Sequence, residues 1–166
     1  MGPVHPEPAR TPAWSPSRNA IGLWTVEGVL GTLVLAALVV GASVVLPLPT
    51  WVTVLLAVLV VVEGVVAIGV RPRLRHRVHR WEVTADAVYT LTGWLSRTWT
   101  LVPVSRIQTV DVTRGAVQQL FGLASVAVLT ASSQGTVRIP HLDAEVAARV
   151  ADDLARRAEL VRDEAT

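Results

Sequence analysis

Two long apolar runs, Trp24 to Leu46 and Trp51 to Val70, fill most of the first half of the chain, and short alternating runs fill the second. The long runs are 23 and 20 residues. At ~1.5 Å of rise per helical residue, each reaches across a hydrocarbon core of ~30 Å. Neither contains proline, and a helix is the form that satisfies its own backbone polar groups in lipid. The pattern predicts a two-helix transmembrane hairpin over residues 22–70, with spans of about 24–46 and 51–70 and a turn at Pro47-Leu-Pro-Thr50. Pro72 predicts that the second helix stops at Arg71, because the residue before a proline is driven out of helical geometry. Val29 to Val40 also resembles the core of a secretory signal, but the run continues to Leu46, beyond the ~7–15 residues of such cores.

After Arg80 the pattern changes to runs rich in Val, Thr and Trp, punctuated by Gly and polar pairs. These predict strands near 80–84, 87–94, 97–103, 107–113, 124–132 and 136–140. Ser133-Gln134-Gly135 is expected to turn between the last two, and Gly115 to Phe121 to form a short helical turn stopped by Gly122. Val146, Val150, Leu154, Ala158 and Val161 repeat at three- and four-residue spacing, predicting a helix from about Ala144 to Arg162 with Asp143 as N-cap. Glu145/Arg149, Asp152/Arg156 and Asp153/Arg157 are acid-first i,i+4 pairs on its polar face. Residues 1–21 hold five of the ten prolines and little apolar surface, so this stretch is expected to be disordered.

Charge adds direction. All fifteen basic residues are Arg. Five of them fall within Arg71-Pro-Arg-Leu-Arg-His-Arg-Val-His-Arg80, while the connector between the runs is uncharged. Arg excess marks the cytoplasmic side, which puts both termini on the cytoplasmic side of a bacterial plasma membrane. Residues 81–166 carry eight Arg against ten Asp and Glu, a balance of −2. The high pI therefore comes from the juxtamembrane segment 71–80, and the soluble part is not expected to bind nucleic acid. There is no Cys, hence no disulfide framework or thiolate chemistry.

Few residues offer chemistry. Arg71, Arg73, Arg75, Arg77 and Arg80 are candidates for lipid headgroup contact, through general electrostatic attraction. Glu63 lies seven residues, ~10 Å, above the inner end of the second span, and an ionisable group at that depth is a functional candidate. The matching depth on the first helix falls at Gly31 and Thr32, so Gly31 is expected to admit close helix approach and Thr32 to hydrogen-bond the Glu63 carboxylate. Glu27, near the inner end of the first helix, reaches water or pairs with Arg71 or Arg73. His76 and His79 are spaced as a metal pair can be, but Arg residues flank them and no carboxylate or Cys lies nearby, so no metal or other cofactor is expected. Trp24 and Trp51, at run ends, suit the headgroup zone. Trp81, Trp94 and Trp99 read as core or bilayer-facing residues. There is no Gly-rich phosphate loop, Gly-x-Ser-x-Gly elbow or zinc-protease helix.

Several segments in order resemble a known family. They are Trp81-Glu-Val-Thr-Ala-Asp-Ala-Val-Tyr89, Gly93-Trp-Leu-Ser-Arg97, Val102-Pro-Val-Ser-Arg-Ile-Gln108, Val110-Asp-Val112, Gln119-Leu-Phe-Gly-Leu-Ala-Ser-Val126 and Ile139-Pro140. Together with the preceding hairpin, over roughly residues 22–160, they resemble the bacterial pleckstrin-homology (PH)-like domain of YdbS-like membrane proteins. The resemblance implies a membrane α-helical hairpin followed, over 81–162, by a mainly-β barrel or sandwich of about seven strands with a C-terminal helix. Eukaryotic relatives of this fold bind inositides through a basic loop between the first two strands. Here that turn, Ala85-Asp86, is acidic. The functional expectation is a non-enzymatic membrane protein presenting an interaction or scaffold domain at the inner leaflet, with membrane lipids and another membrane protein or a second copy as partners. Two alternatives are an anionic-lipid sensor and a subunit of an oligomeric proton or ion pathway using Glu63.

Overall fold

The computed structural model describes residues 11–93, 96–131 and 135–164. Helix α1 (Asn19–Val45) is apolar on every side. The hydroxyls of Thr25, Thr32 and Ser43 each donate to the carbonyl four residues back, at 2.8 Å. These three hydroxyls are thus satisfied within the helix, as a hydrocarbon surround demands. Leu46 turns extended, and two prolines carry the chain into α2 (Thr50–Val65).

The second helix does not stop at Arg71. One π-helical turn (Val66–Val70) follows α2, and helix α3 (Arg71–Val78) continues directly from it. A proline inside an α-helix lacks the N–H to bond and strikes the carbonyl four residues back. The π turn relieves that crowding: Arg71 N–H reaches back five residues to Val66 O, and Pro72 falls in the first turn of α3, where a proline is tolerated. The continuous rod Thr50–Val78 is 29 residues, ~43 Å by helical rise, longer than a ~30 Å hydrocarbon core.

Six strands form two antiparallel three-stranded sheets: β1 (Arg80–Val83), β2 (Ala87–Thr92) and β3 (Thr98–Pro103) in one, and β4 (Ile107–Thr113), β5 (Leu123–Thr130) and β6 (Thr136–Asp143) in the other. The resemblance implies about seven; six are present among the described residues. The strand β6 runs three residues beyond its expected end. Trp94 and the turn residues Ser133 and Gln134 lie outside the described residues, while Gly135 has φ +66° as a tight turn requires. The sheets enclose Val88, Val102, Val126, Val128 and Ile139, and helix α5 (Ala144–Glu164) closes the core with Ala147, Ala151 and Leu154. The predicted stripe holds: Val146, Val150, Ala158 and Val161 pack on the same core. Arg157 pairs with Asp153 at 2.8 Å and Arg149 with Glu145 at 4.0 Å, while Arg156 lies 4.0 Å from Asp153 rather than beside Asp152. The short helix α4 (Ala116–Leu120) ends at Gly122, φ +66°.

Residues 11–21 correct the expectation of a disordered start; residues 1–10 lie outside the described set. Trp14 and Trp81 exchange backbone hydrogen bonds of 3.0 and 2.8 Å, so this segment adds to the outer edge of β1. Ser17 N–H donates to His141 O at 2.9 Å, and Ser17 Oγ donates to the Asp143 carboxylate at 2.6 Å. Pro12 and Pro16 are buried. A segment too polar to make its own core is ordered here by borrowing a sheet edge.

Candidate functional site

The two long helices meet most closely at the base of the hairpin, the end facing the sandwich. A Cβ on Gly28 would lie 2.6 Å from Ala67 O in the π turn, so only glycine fits there. One turn higher, Gly64 is buried against the Thr32 methyl, where a Cβ would stand 3.0 Å away. At Gly31, the expected contact, an added Cβ would meet nothing within 4 Å. The expected Thr32–Glu63 hydrogen bond is replaced as well. Thr32 Oγ1 donates to Gly28 O, and Glu63 Oε1 accepts from Arg71 Nη2 at 3.1 Å. Continuation of the helix past Pro72 explains the exchange, because it keeps Arg71 about two turns from Glu63 on the same rod.

Beside this contact the helices part around a cleft of about 230 Å³ lined by Glu27, Gly31, Thr32, Glu63, Arg71 and Arg75. The Arg block is therefore not a uniform string. Arg71 and Arg75 face the cleft, and Arg75 also lies 5.8 Å from the centre of the Trp24 ring, a cation–π distance. Arg73 bonds the Gly69 carbonyl, Arg77 is exposed, and Arg80 opens β1 half-buried. His76 Nε2 bonds Pro16 O at 3.2 Å and His79 Nδ1 bonds Arg75 O at 2.8 Å. Each carbonyl can only accept, so both rings donate there.

Trp24 is not a headgroup-zone residue: it is 5% exposed. With Ala20, Leu23 and Leu123 it forms a second small core joining hairpin to sandwich. Its ring meets His79 at 5.7 Å and His141 edge-on at 5.2 Å. Trp51, at the opposite end of the hairpin, is 69% exposed. Trp81 packs on the sandwich core and donates Nε1–H to Ser15 O, whereas Trp99 is exposed.

The polar centre of this junction is His141, which local sequence pattern did not single out. Two residues of β6, Pro140 and His141, stand opposite Ser125 alone, a β-bulge that puts His141 at φ +58°. The only local cue is Pro140, which cannot donate to a ladder. Gln118 Oε1 accepts from Gly115 N–H at 3.0 Å, so its amide NH2 points to Ser125 Oγ at 2.9 Å and His141 Nδ1 at 3.0 Å. With a donor facing it, Nδ1 must accept, and the ring is neutral in this arrangement.

Burial, and then the charges of His79 and Arg75, hold His141 below its ordinary value of 6.5. Burial likewise lowers His79, against its bond to the Arg75 carbonyl and aided by the charges of Arg75 and His76. Depressed histidines bind fewer protons folded than unfolded, so their contribution is complete above pH 6.5 and is lost as pH falls toward the folded-state values. We expect acidification from pH 7 to 5 to lower the thermal midpoint in detergent micelles. The drop should shrink in His141→Asn, since Asn tolerates the left-handed backbone and does not titrate.

A model of the bacterial PH domain family matches residues 23–158, taking in both long helices, the junction and the sandwich. The UPF0699 transmembrane protein YdbS of Bacillus subtilis (strain 168) is 26% identical over 151 residues, covering 89% of this chain and 94% of that protein. No solved structure matches the chain. With two apolar helices of membrane-spanning length joined to a six-stranded sandwich, the chain is a membrane protein and belongs to the bacterial PH domain family.

Proposed function

We propose that this protein crosses the bacterial plasma membrane twice, keeps both termini in the cytoplasm, and presents its PH domain at the inner leaflet as a non-catalytic docking module for another membrane protein or a second copy. The Arg-rich end of the hairpin supports the orientation. The observation that carries the docking role is the packing of the hairpin against the sandwich. Trp24, the arm at residues 11–17 and helix α3 join the two units through a shared core and backbone bonds. A domain so held offers the same face to every neighbour in the plane of the membrane. Among the described strands, β3 ends its sheet unpaired on one side and exposes Trp99 (47%) and Leu101 (45%). An open edge beside exposed apolar side chains suits strand addition by a partner.

A photo-crosslinking residue at Thr98, on β3, tests this in intact membranes. Discrete adducts from Thr98, with none from a probe at Arg149 on the exposed face of α5, are expected. Equal labelling from both positions, or none from either, would refute β3 docking.

A further inference from the structure

We propose that the cleft at the base of the hairpin holds one aminophospholipid of the phosphatidylethanolamine type. Its phosphate would lie on Arg71 and Arg75, its ammonium on Glu27 and Glu63, and one acyl chain along the groove above. The inference rests on the reading that both helices span the bilayer; it does not depend on docking at β3.

The first support is that two cavities adjoin. The charged cleft of about 230 Å³ shares Leu35 and Glu63 with a groove of about 460 Å³ higher between the helices. Apart from Glu63 that groove is aliphatic, bounded by Leu35, Val39, Leu56, Leu59 and Val60 among others. A polar chamber beside an aliphatic one fits an amphiphile. A free phosphate or a soluble dipolar metabolite would leave the groove unfilled.

The second support is charge balance. The cleft is lined by two carboxylates, Glu27 and Glu63, and two guanidiniums, Arg71 and Arg75. An anionic headgroup gains from the arginines and is repelled by the glutamates. A phosphate carrying a primary ammonium uses both signs. Guanidinium donates well to phosphate oxygens, and an ammonium offers three donors to the carboxylates, where a quaternary choline offers none. Both guanidiniums are positioned in advance: Arg71 by Glu63 at 3.1 Å, and Arg75 by the face of Trp24 at 5.8 Å. Glu63, which sequence alone marks as a costly intramembrane acid, thereby orients one phosphate ligand and forms part of the ammonium site.

The test is native mass spectrometry of the full-length protein released from bilayers containing equal parts phosphatidylethanolamine, phosphatidylglycerol and phosphatidylcholine. One retained phosphatidylethanolamine per chain is expected, preferred about tenfold over either competitor, the size of one charge-assisted hydrogen bond. Gly31→Leu should abolish the adduct without unfolding the protein, because Gly31 lines the cleft and a Cβ there meets nothing within 4 Å. Glu27→Gln should erase the preference over phosphatidylglycerol. No adduct on the native protein, a preference for phosphatidylglycerol, or an adduct that survives Gly31→Leu would each overturn the proposal. The crosslink from Thr98 reads the docking role separately and is expected to persist in Gly31→Leu.

Discussion

Gly28→Leu is expected to force the two long helices apart at their base and to lower the thermal midpoint of the detergent-solubilised protein sharply, while Gly31→Leu, three residues away on the same helix, leaves it unchanged. The contrast follows from what each Cβ would meet. At Gly28 the neighbours are backbone atoms, Ala67 O at 2.6 Å and Ala67 C at 2.9 Å, and they belong to the π turn that carries the chain past Pro72. Backbone cannot rotate away as a side chain can. Overpacking typically costs ~1–3 kcal/mol, and a collision with a carbonyl belongs at the upper end. The relief available, moving α1 outward, would also pull Thr32 from Gly64. A Cβ at Gly31 meets no side chain or neighbouring element within 4 Å. Paired melting curves in micelles decide the matter: equal midpoints for the two variants would mean that the helices are not held together at Gly28.

The contrast also shows which features sequence reveals. The two apolar runs, all six strands and the apolar stripe of α5 stand in the sequence, because each is a local period set by one residue's relation to neighbours two to four positions away. Features set by partners distant in the chain were not legible in this way. Pro72 reads as a helix stop, and only the π turn before it, stabilised by close packing on Gly28, lets the rod continue. Residues 11–17 read as a disordered tail because their order comes from the edge of β1, some 65 positions later. The polar centre of the junction is gathered from four elements, with Trp24 from α1, His79 from the end of α3, Gln118 from α4 and His141 from β6. No spacing rule connects them. The candidate cleft was half legible: Glu63, Glu27, Thr32 and the Arg block stand out as charges or hydroxyls near a lipid boundary, but the pairing of Glu63 with Arg71 depends on a helix that the sequence says should have ended.

Trp24→Ala is expected to have the larger effect of the two substitutions on the link between hairpin and sandwich. Removing a buried Trp typically costs ~3–5 kcal/mol, with the spread set by how well the site collapses. Here collapse is hindered, because the indole stands between two imidazoles and a guanidinium that gain little by closing on one another. The loss should be local. The small core of Ala20, Leu23, Trp24 and Leu123 is separate from the sandwich core of Val88, Val126, Val128 and Ile139. Amide hydrogen exchange should therefore accelerate over residues 11–24 and 76–81, while the amides of Val126 and Val128 in the middle of β5 stay protected. Uniform acceleration would show instead that hairpin and sandwich unfold as one cooperative unit. If the expected pattern is found, the same variant tests why the coupling matters. A domain released from its fixed pose should reach more of its surroundings, and the discrete crosslinks from Thr98 on β3 should broaden into many weak ones.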